Sequence, residues 1–193
     1  MAELIPKRSA DSETTITELM IPAYANFGGK IHGGILLSLM DKAAYACASK
    51  YAATYCVTVS VDNVDFLQPV EVGELVSLKA KVNYVGNSSL VVGIRVVSEN
   101  VKVGVEQHTN TCYFTMVAKD DNNKPTQVPP LVLSNEDEVR RFIEAIVRKY
   151  LHKQFKAEMD AAKSSFDINR EISKLEGERC IIDFEGYSDE QTL

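Results

Sequence analysis

The run Gly28-Gly29-Lys30-Ile31-His32-Gly33-Gly34, passing straight into Ile35-Leu36-Leu37-Ser38-Leu39-Met40-Asp41-Lys42-Ala43-Ala44-Tyr45-Ala46-Cys47-Ala48, decides the fold. Glycines open dihedrals closed to other residues and let a second backbone come close, so the first half reads as a shaped loop. The second half carries Ile35, Leu36, Leu37, Leu39, Met40, Ala43, Ala44, Ala46, Cys47 and Ala48 on almost every side. A helix over 35–53 with so little polar face is one buried by its surroundings, and the small residues Ala43, Ala44 and Ala46 permit close packing. Asp41 is the anomaly on it.

Working outward, residues 14–26 open with the β-branched set Thr14-Thr15-Ile16-Thr17 and are interrupted by Pro22, which predicts a first strand that ends irregularly. Four strands are predicted after the helix. In residues 57–70 the apolar positions change parity from Val57, Val59, Val61 to Val64, Phe66, which predicts a bulge near Asp62 and Asn63. Val76, Leu78, Ala80, Val82 and Tyr84 alternate with polar residues; residues 90–97 are apolar on both faces, as in a central strand, after the turn residues Gly86-Asn87-Ser88. The last strand spans 107–117 and ends at a turn-rich run beginning Asp120-Asp121-Asn122. Strand, buried helix, four strands: the helix must be wrapped by an antiparallel sheet assembled later in the chain, an α+β architecture known as the hotdog fold. Its open sheet edge and apolar flank are covered when two copies pair, so a homodimer is the minimum unit expected.

Beyond Pro129-Pro130, Asn135 and Glu138 stand at capping-box spacing before a periodic helix whose apolar stripe runs Val139, Phe142, Ile143, Ile146, Val147, Tyr150, Leu151. The expected organisation is a polar leader over 1–13, a hotdog domain over 14–130, and a C-terminal helix and tail over 131–193. A net charge of -6 argues against a nucleic-acid partner, which needs a concentrated basic field. No segment approaches the ~20 apolar residues of a membrane helix, so no membrane partner is expected and the chain reads as cytoplasmic. Cys47, Cys56, Cys112 and Cys180 form no CxxC pair and have no histidine at ligand spacing, so no metal is signalled and the thiols read as reduced and structural.

Carboxylates are almost never buried without a partner. Asp41, about two turns into the apolar helix, is therefore either held at a subunit seam, by backbone amides or by Lys42 or Lys50 of a neighbour, or a general base or nucleophile beside a cleft. Asn26, just before the glycines, is a turn former or an amide aimed at a carbonyl oxygen or a water; it cannot be a base. Gly33 and Gly34 place backbone N–H groups at the positive end of the helix, free to hold an oxyanion, unless they only make a tight turn. His32 among glycines has no Ser or Cys nucleophile beside it and reads as structural.

Residues 25–44, together with Val57-Thr58-Val59-Ser60-Val61-Asp62-Asn63-Val64-Asp65-Phe66-Leu67-Gln68-Pro69-Val70 and Val82-Asn83-Tyr84-Val85-Gly86-Asn87-Ser88-Ser89, resemble the hotdog acyl-CoA thioesterases of the brain-type and bacterial acyl-CoA hydrolase group. The resemblance implies catalysis by Asn26 of one subunit and Asp41 of the other, with Gly34 as oxyanion donor, and substrate contacts at His32, Gly33, Ser60 and the turn Asn87, Ser88, Ser89. It implies acyl-CoA as substrate, no cofactor, and a homohexamer built as a trimer of dimers. Relatives often place a basic residue in the Gly86 turn; here there is none, and Arg95, Lys102 or the run Arg140, Arg141, Arg148, Lys149 are the available cations. The alternative function is a non-catalytic acyl-CoA-binding sensor or carrier module. A hotdog dehydratase is a third, and it fits poorly because only His32 lies near the helix.

Overall fold

The computed structural model describes residues 4–183. The elements are β1 (Lys7–Arg8), β2 (Thr14–Leu19), α1 (Gly33–Ala52), β3 (Tyr55–Val61), β4 (Leu75–Val85), β5 (Ser89–Asn100), β6 (Val105–Lys119), β7 (Leu131–Val132), α2 (Glu136–Ser164) and α3 (Ile168–Glu171), with short 3-10 turns between some of them. Five strands form one antiparallel sheet in the order β2-β4-β5-β6-β3. It curls around α1, which gives the expected hotdog arrangement. Side chains of one parity, Leu78, Ala80 and Val82 on β4, Val92 and Ile94 on β5, Phe114 and Met116 on β6, are buried against Leu36, Met40, Ala43, Cys47 and Tyr51 of the helix. That shared apolar layer is the core.

The helix is not buried all round. Gly34, Leu37, Ser38, Asp41, Lys42 and Tyr45, which recur at helical spacing, form an exposed stripe, with Leu37 at 39% and Tyr45 at 44% exposure. The sheet stops at β3, whose Tyr55, Val59 and Val61 are also exposed, so one flank of α1 and one strand edge lie open side by side.

The bulge falls earlier than the sequence suggests. The register between β3 and β6 shifts between Thr58 and Ser60, and the strand ends at Val61. Residues 62–67 follow β6 only through single bonds, Asp62 N to Tyr113 O and Leu67 N to Thr109 O, because Asp62, Asn63 and Asp65 are poor strand formers. A second bulge, between Val82 and Tyr84, interrupts the pairing of β4 with β5. Beside it the backbone of Val82 is satisfied by side chains: Ser9 Oγ donates to Val82 O at 2.6 Å, and Val82 N donates to Ser12 Oγ at 2.9 Å. Both serines are buried, so residues 9–12 are bound to the five-stranded sheet, while β1 pairs in parallel with β7 in a small two-stranded sheet of its own.

The chain divides into two compact units, Met1–Arg148 and Lys149–Leu193. In the first, Glu138 N donates to Asn135 Oδ1 and Ser134 N to Glu138 Oε2, which caps α2 at the predicted place. Of the predicted stripe, Phe142 packs on Tyr84 with ring centroids 4.8 Å apart, while Val139, Ile143, Ile146 and Val147 are exposed. In the second unit α2 continues to Ser164 and Asp167 caps α3. Any part of the tail beyond residue 183 lies outside the described residues.

Ser12→Ala leaves the buried Val82 N–H without an acceptor. It is expected to destabilise the fold by about 1–3 kcal/mol in urea unfolding, whereas an equally small change at exposed Ser38 is expected to stay within about 0.5 kcal/mol.

Candidate active site

The loop before α1 is held from three sides. Ala25 and Ile31 form a bridge, Ile31 N donates to Val70 O at 2.9 Å, and Lys30 bridges to Glu71 both through the backbone and through an ion pair. Within it Gly29 takes φ 77°, the left-handed turn that favours glycine. Asn26 organises the turn: its Oδ1 accepts from Gly28 N at 2.8 Å and from Lys30 N at 3.2 Å. With the oxygen committed, the remaining function of the amide is its NH2, a donor. Asn26 is thus a turn former whose free end suits a carbonyl oxygen or a water. Next to it Phe27 stands fully exposed.

At the start of α1 the structure departs from expectation. Gly34 N is not a free donor: it donates to His32 Nδ1 at 2.9 Å, because His32 sits at the N-cap and its ring reaches back over the first turn. Gly33, the first helical residue, keeps an N–H with no intrahelical acceptor. A Cβ on Gly33 would meet the Phe66 ring at 3.3 Å, which explains a glycine there.

Asp41 is exposed on the open stripe, and its Oδ1 accepts from Thr58 Oγ1 at 2.6 Å. The second carboxylate oxygen has no hydrogen-bond partner among the described residues. Together Asp41, Lys42, Tyr45, Tyr55, Cys56, Val57 and Thr58 line a cavity of about 350 Å3, with the Tyr45 and Tyr55 rings 6.1 Å apart. No hydrogen bond joins Asn26 to Asp41 within one chain. The sequence gives no sign of Thr58: a threonine in a strand is ordinary, and it faces the helix because it shares the parity of buried Cys56, in register with Met116 just before the bulge. Ser60, which was singled out, is half-buried on the far side of that bulge.

The turn carrying Asn87, Ser88 and Ser89 lies at the same end of the sheet. Ser89 on β5 and Val57 on β3 both pair with Val117 of β6, which places their backbones roughly 10 Å apart. The turn's main chain is largely occupied: Gly86 N donates to Ser89 O, Ala118 N to Ser88 O and Val128 N to Asn87 O. Among the other sequence candidates, Arg140 and Arg141 pair with Asp137, and Arg148 stacks 3.5 Å from the centroid of Tyr113.

Three of the cysteines are buried and unpaired; burial pushes the Cys47 and Cys112 thiols up to about 12, so neither supplies a thiolate. Among the described residues no group of three or more His, Cys, Asp or Glu is placed to hold a metal, and no helix is long and apolar enough to cross a membrane.

Residues 28–105 match the thioesterase superfamily. The chain is 31% identical over 160 residues, 83% of its length and 93% of the relative's, to the uncharacterized acyl-CoA thioester hydrolase YkhA of Bacillus subtilis. It belongs to the acyl-CoA thioester hydrolases. The protein VdlD of Helicobacter pylori is 50% identical over 131 residues, 68% of this chain and 75% of that one. Among solved structures, an apo-hexameric acyl-CoA thioesterase superimposes with a TM-score of 0.77 at 34% identity, over 80% of this chain and 99% of its own. The acyl-CoA hydrolase of Staphylococcus aureus, solved with butyryl coenzyme A and coenzyme A, has a TM-score of 0.74 at 28% identity, over 82% and 96%. That hydrolase has also been solved as separate asparagine, aspartate and threonine to alanine variants.

His32→Ala removes the cap of α1 and is expected to lower stability by about 1 kcal/mol in a denaturant titration, while His32→Asn, which can accept the same Gly34 N–H, is expected to restore most of it.

Proposed function

We propose that this protein hydrolyses acyl-CoA thioesters to free fatty acid and coenzyme A at a site that two copies of the chain complete together. The observation that carries the reading is the Asp41 carboxylate: it is open to the outside on an otherwise apolar helix, held by the Thr58 hydroxyl through one oxygen and unengaged at the other. A second copy covering the exposed flank of α1 and the β3 edge turns the shallow cavity into a cleft. The same pairing brings the NH2 of one copy's Asn26 toward the other copy's Asp41. In the Staphylococcus aureus hydrolase, the asparagine, aspartate and threonine chosen for replacement are separated along the chain as Asn26, Asp41 and Thr58 are here, which supports the three as one set.

The chemistry follows from those groups. As a base, Asp41 takes a proton from water while the oxygen attacks the thioester carbon; the C–S bond breaks and the proton passes to the departing thiolate of coenzyme A. As a nucleophile, it attacks the carbonyl carbon itself, the C–S bond breaks and coenzyme A leaves as its thiolate; water then cleaves the mixed anhydride, which frees the fatty acid, restores the Asp41 carboxylate and leaves a proton for the thiolate. Either way negative charge develops on the carbonyl oxygen, where the Asn26 NH2 and the Gly33 N–H at the helix N-terminus are the donors available. Gly34 serves in this role only if its bond to His32 opens. His32, Gly33, Ser60 and the Asn87–Ser89 turn would flank the pantetheine arm. The dimer is the minimal active unit, and the hexameric state of the solved relative supports a trimer of such dimers.

Asp41→Asn, nearly isosteric and at an exposed position, is expected to abolish acyl-CoA hydrolysis with the fold intact; retained turnover would overturn the assignment. Thr58→Val is expected to lower kcat about 10- to 100-fold, the worth of a hydrogen bond to a charged group.

A shared site has a sharper consequence. Asn26→Ala and Asp41→Asn proteins, each inactive, are expected to regain activity when co-expressed, because the mixed dimer contains one intact pair. No recovery in demonstrably mixed dimers would place both residues of each site on one chain.

A further inference from the structure

The face of the sheet turned away from α1 carries a second cavity, of about 580 Å3, walled by β4, β5, β7 and the first turn of α2. That volume lies in the range of small-molecule sites. Its floor is a row of residues in register across four strands: Thr15 pairs with Lys79, Lys79 with Arg95, and Arg95 with Thr111. All four are exposed, and their parity is opposite to that of buried Leu78, Ala80 and Ile94, so they face away from the Asp41 side.

Two cations directly opposite each other on neighbouring strands repel. The carboxylates that could relieve Lys79 and Arg95 are engaged elsewhere in the same wall. Glu13 and Glu138 each lie 3.1 Å from Lys81, and Asp137 pairs with Arg140 and Arg141, which hold its carboxyl down to about 2. Neither Lys79 nor Arg95 has an acidic partner among the described residues. A chain of net charge -6 thus concentrates unpaired positive charge at one concave place. The wall also contains Asn83, 5% exposed, whose Nδ2 has no hydrogen-bond partner; a Cβ on Gly93 would stand 2.2 Å from that nitrogen, so the glycine makes its room.

We propose that this outer cavity is a second ligand site, taking a phosphate-bearing small molecule whose phosphoryl oxygens sit between Lys79 and Arg95, with the Thr15 and Thr111 hydroxyls at either end. Arg presents a planar fork and Lys a point charge, which together suit a phosphate ester or diphosphate better than a single carboxylate. The chemistry has two sources: the nucleotide end of coenzyme A reaching over from a neighbouring copy, or a separate phosphorylated metabolite.

Calorimetric titration of the full chain with inorganic pyrophosphate at low ionic strength tests the site without reference to catalysis. Saturable binding is expected in the wild type, about tenfold or more weaker in the Lys79→Gln, Arg95→Gln double variant, a loss of about 1.4 kcal/mol or more. Thr15→Glu, which leaves both cations and sets a carboxylate beside them, is expected to weaken it likewise. No binding by the wild type, or equal binding by wild type and variants, overturns the proposal. Steady-state kinetics then separate the sources: a raised KM for acyl-CoA but not for acyl-pantetheine in the double variant identifies the substrate's own nucleotide, and unchanged KM for both identifies a separate metabolite. The kinetic arm rests on the hydrolase reading and the binding arm does not, so failure of one is distinguishable from failure of the other.

Discussion

A five-stranded sheet cannot close around a helix that is apolar on nearly every side, and the stripe of α1 left uncovered governs the rest of the molecule. Leu37 and Tyr45 stand in water beside the open edge of β3. Exposed apolar surface next to unpaired strand hydrogen bonds favours association, because one contact relieves both costs at once. The helix lies against the sheet through alanines and Cys47, which fixes its face and therefore fixes which residues line the seam.

Asp41 is tolerated for the same reason. On the buried face of the helix, among Met40, Ala43 and Ala44, it would have no water, and an unpaired carboxylate there is prohibitive. On the open stripe it keeps water until a partner arrives, and Thr58 restrains it. That hydroxyl is aimed by the ordinary alternation of β3, two residues on from buried Cys56 and opposite Met116, so the strand's inner face supplies the restraint for the charge on the helix. In the site proposed above, the Asn26 loop would be the complementary half: two backbone donors lock the amide oxygen, which leaves a rigid NH2 rather than a rotatable group.

The apolar run on α1, the alternation on β4 and the cap at Asn135 were readable from residue order because each is a local pattern with one period. What escaped is what local patterns do not encode. The parity change between Val61 and Val64 signalled a break, but the strand ended there rather than continuing past a bulge, since Asp62, Asn63 and Asp65 do not sustain a ladder. From its glycine setting His32 reads as structural and by resemblance as a substrate contact, but neither reading contains the cap: that depends on a ring folding over the N–H two residues on, which shows the supposed oxyanion donor to be taken. The sequence suggested a helix buried all round because it records apolarity and says nothing of how much of it one chain can cover. Thr58 looked like any strand residue.

Residues 7–12 show how the two faces of the sheet are kept distinct. The bulge at Asn83 breaks the ladder of β4, and an unpaired backbone group there would either admit water to the core or pull the strand out of line. Ser9 and Ser12, just before β2, give a donor and an acceptor to the backbone of Val82, the last β4 residue in register with β5 before the bulge. On the inner side this leaves Leu78, Ala80 and Val82 packed on the helix; on the outer side it holds Lys79 opposite Arg95 at the floor of a cavity whose other charges are already matched. The pairing of two like charges is therefore imposed by register rather than by chance proximity, and relief has to come from an anion outside the chain or from solvent. A rigid strand pair that sets such charges side by side is preorganised for phosphate in the sense that the cost of bringing them together is met in folding and not in binding.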